Sequence, residues 1–139
     1  ERVGSSNVLH LHGEIMYARS SISHKEKLYP VGPQGIQLGD YCQDGHQLRP
    51  HVVWFGEEVP MLAAAEPVIA AADYLIIIGT SLNVYPAAGL IYYMNSQAKG
   101  YLIDPQNVEI PYDLPIHIIK AKATEGIDIA IEAIKKASR

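Results

Sequence analysis

One cysteine, Cys42, stands among 139 residues. A lone thiol cannot close an internal disulfide or supply a four-cysteine zinc site, and the expected setting is intracellular, in the cytoplasm. No apolar run approaches the roughly 18 residues that span a bilayer, so no membrane partner is expected. The opening ERVGSSNVLH lacks a basic region followed by an apolar stretch, the pattern of a signal peptide. Positive charge is also scarce. Eleven basic against fifteen acidic residues leave a net charge of −4, and without a positive field broad nucleic-acid binding is not expected. The basic stretch from Lys120 to Arg139 fits the outer face of a terminal helix. Internal repeats and low-complexity tracts are missing, and so is any G-x-G-x-x-G. What remains, 48% hydrophobic and 19% charged, suffices for one domain with a core.

The periodicities predict alternating strands and helices. Asn7 to His12 alternates and reads as a strand ending at Gly13. From Met16 to Gln47 the pattern vanishes in a stretch rich in Ser, Gly, Pro and Lys, an inserted loop or small subdomain. His51 to Phe55 is the next strand, closed by Gly56. A helix from Pro60 to about Ala72 follows, kinked at Pro67. Asp73 to Ile78 is a continuous apolar run, as in a parallel strand buried on both faces. A helix from Pro86 to about Gln97, strands at Tyr101–Ile103 and His117–Ile119, and an amphipathic helix from about Thr124 to Ala137 complete the chain; the last carries Ile127, Ile129, Ala130, Ile131 and Ile134 as its apolar positions. Alternating strands and helices imply a parallel α/β sheet, and without an opening glycine-rich turn the reading is half of a doubly wound one.

Several positions carry candidate chemistry. Gly79-Thr80-Ser81 follows a buried strand, which sets backbone amides and two hydroxyls at the sheet's carboxyl edge; they suit phosphate or ribose oxygens, or simply cap a helix. His10 and His12 share one face with Val8, and either can serve as a base near neutral pH or be structural. Arg49 to Glu57 is core, or an edge that receives an extended peptide by strand addition. Asp40, Cys42, Asp44 and His46 alternate on an irregular segment with no recognised ligand geometry, so no metal site is expected.

Taken together, these segments resemble the sirtuins, with motifs in that family's order along nearly the whole chain. Asn7-Val-Leu-His-Leu-His12-Gly13 is similar to the segment that ends in the catalytic His-Gly, and Arg2-Val-Gly-Ser5 to the family's Arg-Ala-Gly-Ser. Leu48 to Glu57 is similar to the peptide-binding strand, and Gly79 to Ala88 to the second NAD loop. The resemblance implies a Rossmann-like fold and an NAD-dependent protein-lysine deacylase of a zinc-free bacterial type. His12 would be the general base toward a ribose hydroxyl of NAD. Gly79, Thr80 and Ser81 would contact NAD, with Asp104 at its adenosine ribose and Ala123 near adenine. Val53, Phe55, Gly56 and Glu57 would line one side of an acyl-lysine peptide cleft, and Leu82, Asn83 and Val84 the other. The implied reaction yields free lysine, nicotinamide and O-acyl-ADP-ribose.

Two departures qualify the resemblance. The paired cysteines that hold a structural zinc in sirtuins are not here, so the small subdomain (16–47) is expected to be zinc-free and held by packing of Met16, Leu28, Tyr29 and Leu38. Residues 1–15 and 48–139 would form the partial NAD- and peptide-binding domain. The glycine-rich NAD loop, the gating segment and a Gln-Asn-x-Asp segment, which precede Arg2 in that family, are not among these residues either. The expectation is a fragment, or one piece of a split protein, whose partner is the N-terminal half of the fold and which turns over little alone. An exposed half-sheet edge would favour self-association. The alternatives are a protein ADP-ribosyltransferase, separable by its product, and a non-catalytic NAD-sensing or interaction domain, which a functional His12→Ala variant would favour.

Overall fold

The computed structural model describes residues 1–22, 27–110 and 113–138. Two compact units, Glu1–Met61 and Leu62–Arg139, make up the chain. None of its described helices is long and apolar enough to cross a membrane.

The first unit is built on a three-stranded antiparallel sheet. Its strands are β1 (Gly13–Ser20), β2 (Tyr29–Pro30) and β3 (Leu48–Val52), in the order β2-β1-β3. Residues 7–12, expected as a strand, are not one; the strand starts at Gly13, where it was expected to end. Alternation needs a ladder to join, and no described strand pairs with 7–12, which leaves Val8 and Leu9 exposed. The apparent loop from Met16 supplies most of β1 instead. Its alternation is hidden by a register shift against β3 between Glu14 and Ala18, which swings Ile15 and Met16 outward.

Packing of Met16 and Leu38 does not hold the segment that follows, since both are exposed and Leu38 is 98% accessible. Hydrogen bonds from one side chain hold it. The Gln47 amide oxygen accepts from the Gly39 amide at 2.8 Å. Its nitrogen donates to the carbonyls of Gln37, Asp40 and Leu48 at 2.9, 3.1 and 3.1 Å. The Gln43 amide donates to the Tyr29 hydroxyl at 3.2 Å. Residues 23–26 of this segment lie outside the described residues, as does Arg139 of the basic terminal stretch.

In the second unit, helix α1 (Leu62–Ala70) leads into β4 (Tyr74–Ile78), a 3-10 helix (Ala87–Tyr93), β5 (Lys99–Ile103), β6 (Ile116–Ile119) and α2 (Ala123–Ala137). Strands β4, β5 and β6 form a parallel sheet in that order, as the apolar run and the alternation of elements imply. The expected helix to Gln97 is a shorter 3-10 helix because Asn95 competes for the backbone. Its side-chain oxygen accepts from the Gln97 and Ala98 amides at 2.8 and 3.0 Å, closing a turn in place of another helical one. Its nitrogen donates to the carbonyls of Ala70 and Ala72, satisfying the end of α1.

Tyr101, Ile103 and Ala130 form the buried centre of this unit, with Ile127, Ala133 and Ile134 of α2 packed against it. The core-facing positions of α2 therefore recur at 127, 130, 133 and 134, and Ile129 and Ile131 point elsewhere and stay exposed. Close approach of α2 to β5 needs Gly126, where a Cβ would run into the Ile103 side chain. The result is half of a Rossmann-like doubly wound sheet: three parallel strands whose carboxyl edge is open for a ligand.

Candidate active site

His12 ends the segment that enters β1, and its neighbour is glycine by necessity. Gly13 has φ +83°, and a Cβ there would collide with the His51 carbonyl, so only glycine lets β1 meet β3 at this point. The Val53 amide donates to the His12 carbonyl at 2.9 Å and the Gly13 amide to the His10 carbonyl at 3.3 Å. The backbone around His12 is thus held on two sides, while its imidazole is exposed. His10 differs. Its ring nitrogen Nε2 lies 3.1 Å from Glu1 and 3.8 Å from Glu14, so it is engaged by neighbouring carboxylates. The two histidines that alternation could not separate are separated by their surroundings.

The tract after β3 does not continue as a strand to Phe55. At Val53 it leaves the ladder and turns, with Gly56 at φ +85° and the Glu57 amide donating to the Trp54 carbonyl at 3.1 Å. Phe55 sits at the tip, 93% exposed. Glu57 faces back into the unit, where its carboxylate accepts from both Arg49 Nη atoms, the Trp54 amide and Arg19 Nη2. Those donors hold its pKa at about 2, the Arg49 hydrogen bonds acting first and the Trp54 amide second. Arg49 also lies over the Trp54 ring, 4.0 Å from its centroid. Val53, Phe55 and Gly56 are therefore displayed by a turn that Glu57 closes. Arg19 had no signal as a site residue in the sequence, and Arg49 only opened the tract read as core or peptide edge, because a strand arginine reads as surface until its half-buried counter-ion is known.

In the second unit the expected nucleotide contacts come together at one edge. Register pairs Ile78 with Ile103 and Ile103 with Ile119. Gly79 and Asp104, one residue further on, therefore leave the sheet side by side, and Ala123 opens α2 just beyond β6. Gly79 has φ +67° and its amide donates to the Ile103 carbonyl at 3.4 Å. Thr80 Oγ1 accepts from the Leu82 amide at 3.1 Å, which holds Leu82 at φ +56°. Asp104 Oδ1 accepts from the Gln106 amide at 2.7 Å and leaves its second oxygen unengaged by this turn. Thr80 and Ser81 are exposed and follow Gly79, which leaves the sheet beside Asp104, so hydroxyls and a carboxylate stand at one edge of the sheet, groups of the kind that hydrogen-bond a ribose. Leu82, Asn83 and Val84 belong to this second unit, whereas Val53 to Glu57 belong to the first.

Among the described residues, only Glu1, His10 and Glu14 gather three groups able to hold a metal ion, and they do so on the surface. Asp40, Cys42, Asp44 and His46 form no such group. The Cys42 thiol is buried, and the Cys42 amide donates to the His46 carbonyl.

The family model described as "Sir2 family" matches residues 1–86. An NAD-dependent protein deacylase from Bacteroides thetaiotaomicron is 45% identical over 132 residues, covering 92% of this chain and 56% of that protein. The crystal structure of a Sir2 homologue–NAD complex superposes with a TM-score of 0.78 at 32% identity, covering 98% of this chain and 54% of that one. A mutant Sir2 homologue in complex with 2′-O-acetyl ADP ribose superposes with a TM-score of 0.77. The chain spans about half to three-fifths of the length of the curated relatives it matches. It is a member of the Sir2 family.

Proposed function

We propose that the chain carries the general-base portion of an NAD-dependent protein-lysine deacylase that acts in the cytoplasm. The observation behind this reading is His12, an exposed imidazole on a backbone fixed by Gly13 and by the Val53 amide. NAD supplies the ADP-ribosyl acceptor for the acyl group and nicotinamide as leaving group. His12 accepts a proton from a ribose hydroxyl, and its held backbone lowers the ordering that the reaction must supply. Thr80, Ser81 and Asp104 bind the ribose side through hydroxyl and carboxylate groups, Gly79 lets the backbone approach, and Ala123 lies toward the base. Val53, Phe55 and Gly56 of the first unit contact the acyl-lysine peptide, and Leu82, Asn83 and Val84 of the second are assigned to the same substrate.

The relatives' names support the reading, since one is an NAD-dependent protein deacylase and two solved homologues hold NAD and 2′-O-acetyl ADP ribose. The N-terminal half of the fold, with its glycine-rich NAD loop, is part of the same proposal. The test is product analysis of the full-length gene product with NAD and an acetyl-lysine peptide. Free lysine with O-acetyl-ADP-ribose supports a deacylase; ADP-ribosylated peptide with the acetyl group retained would instead indicate a transferase.

A further inference from the structure

Phe55 and Trp54 are an exposed apolar tip, and something must keep such a tip from collapsing onto the nearest apolar surface. Four donors converge on one carboxylate beneath it. Arg49 Nη1 reaches Glu57 Oε1, while Arg49 Nη2, the Trp54 amide and Arg19 Nη2 reach Oε2 at 3.0, 3.0 and 3.4 Å. The same two guanidiniums also donate to the Val52 carbonyl, at 3.2 Å from Arg49 and 3.4 Å from Arg19. Both ends of the turn, Val52 and Glu57, are therefore held by one pair of cations. Arg19 is only 4% exposed, so its charge needs a counter-ion, and Glu57 serves both arginines. What this clamp immobilises is mostly exposed: the Trp54 ring under Arg49, and Phe55 beyond it. Fixing an exposed tip adds nothing to core packing. It lowers the ordering cost of whatever binds against that tip.

We infer that Arg19 and Arg49 are positioning residues for the acyl-lysine peptide, acting through Glu57 to hold the turn that displays Val53 and Phe55. The inference rests on the deacylase reading and adds to it a role for two side chains that do not touch the substrate. Glu57 likewise acts from beneath the turn, with its carboxylate occupied by the clamp. A lysine cannot replace Arg49, because an ammonium offers no planar fork for the carboxylate and no flat face for the indole.

The test is steady-state nicotinamide release by the full-length gene product, comparing wild type with Glu57→Gln and Arg49→Lys while acetyl-lysine peptide and NAD are varied in turn. Each variant should raise the peptide KM about 10-fold, equivalent to about 1.4 kcal/mol, with kcat within about threefold and the NAD KM unmoved. The double variant should be no worse than either single one, because both break the same clamp. Arg49→Lys keeps the positive charge and carries the comparison if Glu57→Gln lowers the folded yield. An active wild type whose variants keep the peptide KM, or lose kcat at constant KM, overturns the positioning role and leaves the deacylase reading standing. A folded wild type that releases no nicotinamide with any acyl peptide overturns the deacylase reading, and the positioning role with it.

Discussion

The Val53 amide donates to the His12 carbonyl at 2.9 Å, so the residue that starts the displayed turn also holds the backbone of the candidate base. One hydrogen bond thus joins two segments 41 positions apart in the chain, and Gly13 makes the approach possible. Gly13→Ala should therefore cost at least about 2 kcal/mol, combining a positive-φ penalty with a backbone collision. Gly4→Ala is the control: φ is +94° there but space is open, so about 1 kcal/mol is expected. Thermal or urea unfolding of both variants gives the comparison.

Gly126→Ala tests the contact of α2 with β5. Helix propensity alone favours the alanine by about 1 kcal/mol. The added methyl meets the buried Ile103 side chain, however, and overpacking of that kind costs about 1–3 kcal/mol. Net destabilisation is expected, and the cost of Gly126→Ala should be smaller in an Ile103→Ala background, where the colliding Cγ2 is gone. Simple stabilisation by Gly126→Ala would show that the helix has room to shift.

Much of the second unit was legible because its signals are local. The run at 74–78 and the pattern at 123–137 identify themselves as a parallel strand and an amphipathic helix, although β4 is an edge strand that is only half-buried and not, as expected, buried on both faces. The first unit was not, for two reasons. Residues 7–12 alternate yet find no described partner, and the alternation of β1 is broken by its register shift. The candidate site divides the same way. His12 is marked by its neighbour Gly13 and the turn after β4 by Gly79 itself, while Arg19 and Arg49 gain meaning only from Glu57, 38 and 8 positions away.

Stability should depend on pH through His51. Burial first, then the charge of Arg19, push its pKa below the ordinary 6.5, with Glu14 opposing. Between the lowered and the ordinary value the unfolded chain binds a proton that the folded chain refuses. Stability is therefore full above the ordinary value and falls as pH drops through that window. Glu57 works in a different range: its stabilising effect is complete above the ordinary 4.5 and is lost only as pH falls through about 2. His51→Gln should flatten the melting-temperature profile just below the ordinary 6.5, and Glu57→Gln should leave that slope in place. An unchanged slope in His51→Gln would move the titration elsewhere.

Leu102 and Phe55 should separate stability from recognition. Leu102 is 0% exposed in β5, and Leu102→Ala should cost about 2–5 kcal/mol. Phe55→Ala, at the exposed tip, should change stability by less than about 0.5 kcal/mol. It should nonetheless raise the peptide KM in the nicotinamide-release assay, and a Phe55→Ala variant with wild-type peptide KM would remove the tip from the cleft.

The most direct measurement is nicotinamide release from NAD by the full-length gene product and its His12→Ala variant, each with and without an acetyl-lysine peptide. Peptide-dependent release that falls by about 100-fold or more in the variant is the predicted result, as expected for loss of a positioned general base. Equal release from both folded proteins, or none from either, would contradict it.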